Sequence, residues 1–197
     1  MKNELSIDFT TGPVAHRLRF GGGRGQDLPK AVGLKKGANP HVVDATAGLG
    51  RDAFLLASLG ATVTLIERSE HLHALLAAAL EKAREAGGEV AEIAARMTLL
   101  YGDAKVLLPT LAPEVVLVDP MHPPRGNSAL VKQEMRQLRE IVGEDHDALA
   151  LMQVALATAQ KRVVLKWPRK AAPLAGLKTP SHQILGKSTR YDVWMCG

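Results

Sequence analysis

Asp44, Glu67 and Asp119 each close a short apolar run: HVVDA over 41–45, TVTLIE over 62–67 and EVVLVD over 114–119. A carboxylate at the end of such a run stands where a parallel strand leaves its sheet, and open α/β sheets bind ligands just outside those strand ends. After Asp44 the chain passes through Gly48 and Gly50 and enters a helix near Arg51. Glu67, ending the second run, can accept hydrogen bonds from two ribose hydroxyls. A nucleoside-containing cofactor is the ligand this pattern predicts.

Two cofactor classes compete for the glycine turn. Gly48 to Ala53 match the G-x-G-x-x-A form of the dinucleotide fingerprint, with Glu67 near the spacing of the usual ribose acid. Against a dinucleotide, Asp44 and Asp52 flank the position of the pyrophosphate, where like charge repels. S-adenosylmethionine has no phosphate and carries a cationic ammonium and sulfonium, which acids at these positions favour. NAD remains the competing ligand on the fingerprint alone.

The third carboxylate opens Asp119-Pro120-Met121-His122-Pro123. Prolines after a strand fix the backbone and leave carbonyls outside the sheet's hydrogen bonding. An exocyclic base amine is a weak nucleophile because its lone pair is delocalised into the ring. Carboxylate and carbonyl acceptors must hold its hydrogens while the nitrogen attacks a methyl group, and an adjacent planar ring can stack on the base. Positioning and electrostatics should then supply most of the rate. The bland alternative for Asp119 is a helix cap. The same turn chemistry would also suit a DNA adenine amine methyltransferase.

Further strands are predicted at MTLLYG (97–102) and RVVLKW (162–167), all nearly continuous in apolar character, as parallel strands covered on both faces are. Helices are predicted after the N-cap Ser69, over 130–141 and over 147–160. Strand alternating with helix gives a doubly wound, mostly parallel α/β sheet. HQILG and RYDVWMC, separated by a turn around Lys187 and Ser188, add a C-terminal antiparallel hairpin. Residues 1–40, basic and containing FGGGRG, read as an appendage to a domain over 41–197. The glycine run suits either close approach to phosphate or a flexible linker. Trp167 and Trp194 read as core or sheet-edge residues.

The net charge of +5 is unevenly spread: residues 12–37 carry +5 and 161–190 carry +8, so the remainder carries −8. Such segregation predicts a polyanionic partner on one side of the molecule. The seven histidines show no metal-ligand spacing, and no metal is expected. No apolar stretch reaches membrane length, the N-terminus has no apolar signal region, and the single cysteine fits a reducing compartment. A cytoplasmic protein with no membrane contact follows.

Taken together, AHRLRFGGGRG, AVGLKKG, VVDATAGLGRDAFLLASLGA, the ER pair at 67–68, DPMHP, SALVKQEMR and RVVLKWP resemble the ribosomal RNA small-subunit methyltransferase J family, almost end to end. The resemblance implies a Rossmann-like class I S-adenosylmethionine-dependent methyltransferase fold and methylation of the N2 amine of a guanine in 16S rRNA. The substrate would be ribosomal RNA or a small-subunit particle. It also implies cofactor contacts at Arg51, Asp52, Glu67, Arg68, Asp103, Ala104 and Asp119, beside the Asp44, Gly48 and Gly50 read from the turn. Asp119, Pro120, His122 and Pro123 form the expected catalytic turn, His122 standing where the family carries an aromatic ring. Arg17, Arg19, Arg24, Lys132, Arg136, Lys166 and Arg169 are the expected RNA contacts. A noncatalytic RNA-binding scaffold is the alternative outside enzymes, though such a scaffold would not need Asp44, Glu67 and Asp119 together.

Overall fold

The computed structural model describes residues 5–11, 23–121 and 147–197; the helix predicted over 130–141 lies outside them. The strands are β1 His41–Asp44, β2 Thr62–Glu67, β3 Met97–Tyr101, β4 Val115–Val118, β5 Arg162–Pro168, β6 His182–Leu185 and β7 Thr189–Met195. They form one seven-stranded sheet in the order β3-β2-β1-β4-β5-β7-β6. β1 to β5 pair in parallel, and β7 runs antiparallel to both β5 and β6. The order reverses between β1 and β4, which puts the topological switch point, and the ligand site it favours, beyond the carboxyl ends of those two strands.

Among the described residues the helices are α1 Asp27–Ala31, α2 Arg51–Ser58, α3 Glu70–Glu85, α4 Gly88–Ala95, α5 Ala104–Leu111 and α6 Ala148–Thr158. Ser69 caps α3 as its sequence predicts, its hydroxyl accepting from the Leu72 N–H. Helices α4 and α5 were not legible beforehand, since α4 is short and begins at the second of two glycines and α5 contains Pro109. No described helix is long and apolar enough to cross a membrane.

Two-residue alternation along the strands divides the core. Val42, Val63, Leu65, Val115, Leu117 and Val164 pack with α1 to α4 on one face. Val43, Ile66, Val116, Val118, Val163 and Leu165 pack with α5 and α6 on the other. Continued to the strand ends, the same alternation sends Asp44, Glu67, Asp119 and Lys166 to the first face. α2 covers that face, and its first turn lies over the strand ends.

The segment predicted as an appendage contributes to this core wherever it is described. Phe9 is buried and stacks on Phe54, ring centroids 4.7 Å apart and planes within 2°. Leu28, Ala31, Val32 and Leu34 join the same cluster. Arg24 donates to the carbonyls of Lys35 (2.7 Å) and Leu59 (2.6 Å). Leu59 follows the end of α2, so Arg24 sits at the amino edge of the sheet, away from the switch point.

Replacing Phe9 by alanine is expected to cost about 3–5 kcal/mol, as for other fully buried phenylalanines. Urea unfolding should show a lower midpoint at an unchanged slope; a loss under 1 kcal/mol would mean that residues 5–11 do not belong to the core.

Candidate active site

A cavity of about 490 Å³ opens at the carboxyl ends of β1, β2, β4 and β5. The turn after β1 forms its floor. Gly48 and Gly50 both have positive φ, +54° and +68°. For Gly50 the requirement is also steric: a Cβ there would lie 2.8 Å from Leu76 Cδ2 and 3.0 Å from Phe9 Cζ. The Gly48 N–H donates to Glu67 Oε2 at 3.0 Å, and the Ser69 N–H to Glu67 Oε1 at 2.8 Å. Burial raises the Glu67 pKa, opposed by these N–H bonds. A carboxylate offers about four acceptor positions, so Glu67 keeps acceptor capacity for a ligand hydroxyl.

Asp44 is buried, and its Oδ1 accepts from the Thr46 N–H at 3.1 Å. Desolvation, with Asp52 and Asp119 close by, pushes its carboxyl up to about 7 against that hydrogen bond and the Lys166 charge. Thr46 also joins the two sides of the switch point, its hydroxyl accepting from the Asp119 N–H at 2.7 Å.

The Lys166 ammonium lies between two carboxylates, 2.6 Å from Asp52 Oδ2 and 2.7 Å from Asp119 Oδ2. Burial works against its charge, yet Asp119 and Asp52 outweigh that cost and its pKa is raised. The sequence expectation took Lys166 as a phosphate contact around the strand ends; here its ammonium is engaged by two acids of the cavity. A lysine at the end of a central strand is desolvated and takes the nearest acids as partners. A cation inside an otherwise apolar strand was the signal available in the sequence.

On the other side of the cavity Asp103 caps α5, accepting from the Lys105 N–H at 2.8 Å, and Ala104 lines the wall. Lys105 pairs with Asp147 and, at 3.0 Å, with Asp103. Arg68 Nη1 reaches Asp147 at 3.1 Å. Hydrogen bonding to Asp147 leads the causes that raise Lys105, and the same bond lowers Asp147. Neither Lys105 nor Asp147 had been singled out from the sequence, where nothing ties them to the glycine turn.

The cavity thus gathers Asp44, Gly48, Arg51, Asp52, Glu67, Arg68, Asp103, Ala104, Asp119 and Pro120, with Gly50 packed beneath the turn. Arg169 is exposed just beyond β5, while His122, Pro123, Arg17, Arg19, Lys132 and Arg136 lie outside the described residues. Trp167 and Trp194 are buried, their ring N–H groups donating to the carbonyls of Ala172 and Lys178. Among the described residues no group of three or more His, Cys, Asp or Glu converges as a metal site.

The family model described as "Putative SAM-dependent methyltransferase" matches residues 1–196. A ribosomal RNA small subunit methyltransferase J of Brucella anthropi is 70% identical over 193 residues, covering 98% of this chain and 94% of that protein. Its counterpart in Agrobacterium fabrum is 66% identical over 189 residues, covering 96% and 91%. The crystal structure of a SAM-dependent methyltransferase from Neisseria gonorrhoeae superposes with a TM-score of 0.78 at 40% identity, covering 99% of this chain and 76% of that one. An RNA methyltransferase of Salinibacter ruber bound to S-adenosyl-L-homocysteine shares the fold, with a TM-score of 0.51 at 16% identity, covering 85% and 86%.

Asp44 gives a pH test. Below its unfolded value of 3.8 it is protonated in both states; as pH rises toward about 7 only the unfolded chain gains by ionising, so stability falls across that window. Ligand-free wild type should lose about 3 kcal/mol from this group between pH 5 and pH 8. Asp44→Asn should lack that component, and urea titrations at both pH values read the difference. Equal pH dependence in the two proteins would mean that Asp44 ionises normally.

Proposed function

The chain belongs to the ribosomal RNA small subunit methyltransferase J family of SAM-dependent methyltransferases, and from that premise we propose that it methylates the exocyclic N2 amine of a guanine in small-subunit ribosomal RNA. The supporting observation is the division of the cavity: the Glu67 carboxylate and glycine turn on one side, the Asp119-Pro120 turn on the other, joined through Thr46.

The donor set fits S-adenosylmethionine. Acids from β1, α2 and β4 suit a ligand that carries an ammonium and a sulfonium, and Glu67 suits its ribose. When bound, the cofactor supplies a methyl group on a sulfonium sulfur, a good leaving group. Asp119 holds the hydrogens of the incoming amine in its carboxylate plane. Asp119 would take up the proton that the amine nitrogen sheds on methylation and pass it to water. Pro120 fixes the backbone of that turn.

The RNA is the polyanion that the charge distribution calls for. Arg169 and Lys170 follow β5, and Lys187 lies in the β6–β7 turn, all exposed beside the cavity. The Arg169 N–H donates to the Ser188 carbonyl and its guanidinium to that of Gly186, both at 3.0 Å, so the two loops form one basic lip. Phosphates flanking the target rest on that lip while the base itself turns out of its stack into the cavity.

Purified protein given S-adenosylmethionine with labelled methyl should form N2-methylguanine in 16S rRNA or small-subunit particles, detected by mass spectrometry of digested RNA. Asp119→Ala should remain folded and lose at least about 100-fold in kcat, the scale of one transition-state acceptor. N6-methyladenine in duplex DNA, with none in RNA, would decide for the DNA enzyme instead. Removing the charges of Arg169, Lys170 and Lys187 together should reduce the salt slope of RNA affinity by about 2 to 3 without moving the methylated position. An unchanged slope would make the lip ordinary solvated surface.

A further inference from the structure

Three carboxylates converge in the cavity from three elements: Asp44 from β1, Asp52 from the first turn of α2 and Asp119 from the end of β4. Like charges this close cannot all ionise without a counter-ion. The cation comes from a fourth element. Leu165 is the last β5 residue paired with β4, opposite Val118. Lys166 therefore projects past the end of β4, on the face α2 covers, and its Nζ meets Asp52 and Asp119 at near-ideal distances. Its side chain is 25% exposed, and that of Asp52 16%. A surface lysine would reach outward to water; this one turns inward and bridges the acid beside the cofactor to the acid beside the acceptor.

We propose that Lys166 is the positioning residue of methyl transfer, holding the Asp119 carboxylate ionised and in one orientation and tying that orientation to Asp52 on the cofactor side. This rests on the methyltransferase reading of the cavity. A carboxylate offers about four acceptor positions, and one ammonium hydrogen occupies one of them. Asp119 thus keeps the capacity to hold an amine while losing its freedom to rotate. Ionisation matters because a protonated carboxyl presents a donor where the amine needs an acceptor. Among the described residues, the charged groups lining the cavity with Asp119 include Asp44 of β1, Asp52 and its neighbour Arg51 in the first turn of α2, and Lys166 of β5. Removing Lys166 takes away the ammonium that offsets Asp44 and Asp52, a change that favours protonation. The tie also couples the two halves of the site: a cationic ligand drawn to Asp52 competes with Lys166 there and shifts the ammonium toward Asp119.

The test compares wild type, Lys166→Met, which keeps the stem's length without its charge, and Lys166→Arg. Each is assayed for methyl transfer to 16S rRNA across pH 5 to 9, for S-adenosylmethionine affinity by calorimetry, and for RNA affinity against salt. Lys166→Met is expected to lose about 100-fold or more in kcat at pH 7, with cofactor affinity within about fivefold and the RNA salt slope unchanged. The acid limb of its kcat profile should move up by more than about one pH unit, so that raising the pH restores part of the activity. Lys166→Arg keeps the charge but not the point geometry; its kcat should fall about tenfold with the acid limb in place.

If Lys166→Met does not fold, the arginine variant decides alone: wild-type turnover, or a reduced salt slope, overturns the proposal. Turnover of the methionine variant within threefold of wild type overturns it as well. So does a loss equal at every pH and accompanied by a shallower salt slope, which would return Lys166 to phosphate contact. A wild-type protein that transfers no methyl group to RNA overturns the functional reading and this inference with it. An active wild type with indifferent Lys166 variants overturns the inference alone.

Discussion

A carboxylate taken out of water must be given hydrogen-bond donors or a cation, and that requirement governs how four strands of this protein end. Glu67 receives two backbone N–H groups, one from the glycine turn. Asp44 receives one, and burial pushes its carboxyl up to about 7. Asp52 and Asp119 receive Lys166. Each solution draws its partner from a different element, so the turn after β1, the start of α2 and the ends of β2, β4 and β5 fix one another. Because these acids are expensive to bury, a loosened partner would be felt at several of them.

The architecture was legible because parallel strands buried on both faces must be short and β-branched, and HVVDA, TVTLIE and EVVLVD are little else. The glycine turn was legible for a related reason: two positive-φ positions between a strand and a helix leave few residues to choose from. What the sequence withheld was pairing across the fold. It marks Lys166 as an odd cation in an apolar run, but the acids it meets stand 114 and 47 positions away. Asp147 meets Arg68 and Lys105 over similar distances. The burial of Phe9 was not read either, although Leu5, Ile7 and Phe9 alternate with Ser6 and Asp8, because three positions are too short a run to mark a core segment. Among the site residues, those whose role follows from strand-end position could be named in advance, and those whose role is to serve another side chain could not.

The charge count shows the same limit from another side. Residues 161–190 carry eight cations and no acid, yet several of these are engaged by partners within the protein. Arg190 is 5% exposed, pairs with Asp192, and donates to the carbonyls of Pro168, Arg169 and Ala171. Arg162 donates to the Ala31 carbonyl, and Lys166 neutralises acids inside the cavity. Lys161 pairs with Glu114. The field that an RNA meets comes from the remainder, of which Arg169, Lys170 and Lys187 stand beside the opening. A sequence total is an upper bound on that field, because guanidinium and ammonium groups also serve as internal fasteners.

β7 is the last of the seven strands in chain order, yet in space it lies between β5 and β6. During synthesis β1 to β5 emerge first and can assemble as a parallel block, but β5 then has an open edge and β6 has no partner. Only when residues 189–195 are made does the sheet close, and the same event brings Ser188 and Thr189 to the cavity wall. The protein is therefore assembled around a vacancy that its own late strand fills. A nascent chain halted before that strand would carry the glycine turn and its acids in place, together with an exposed hydrogen-bonding edge that invites pairing with other chains.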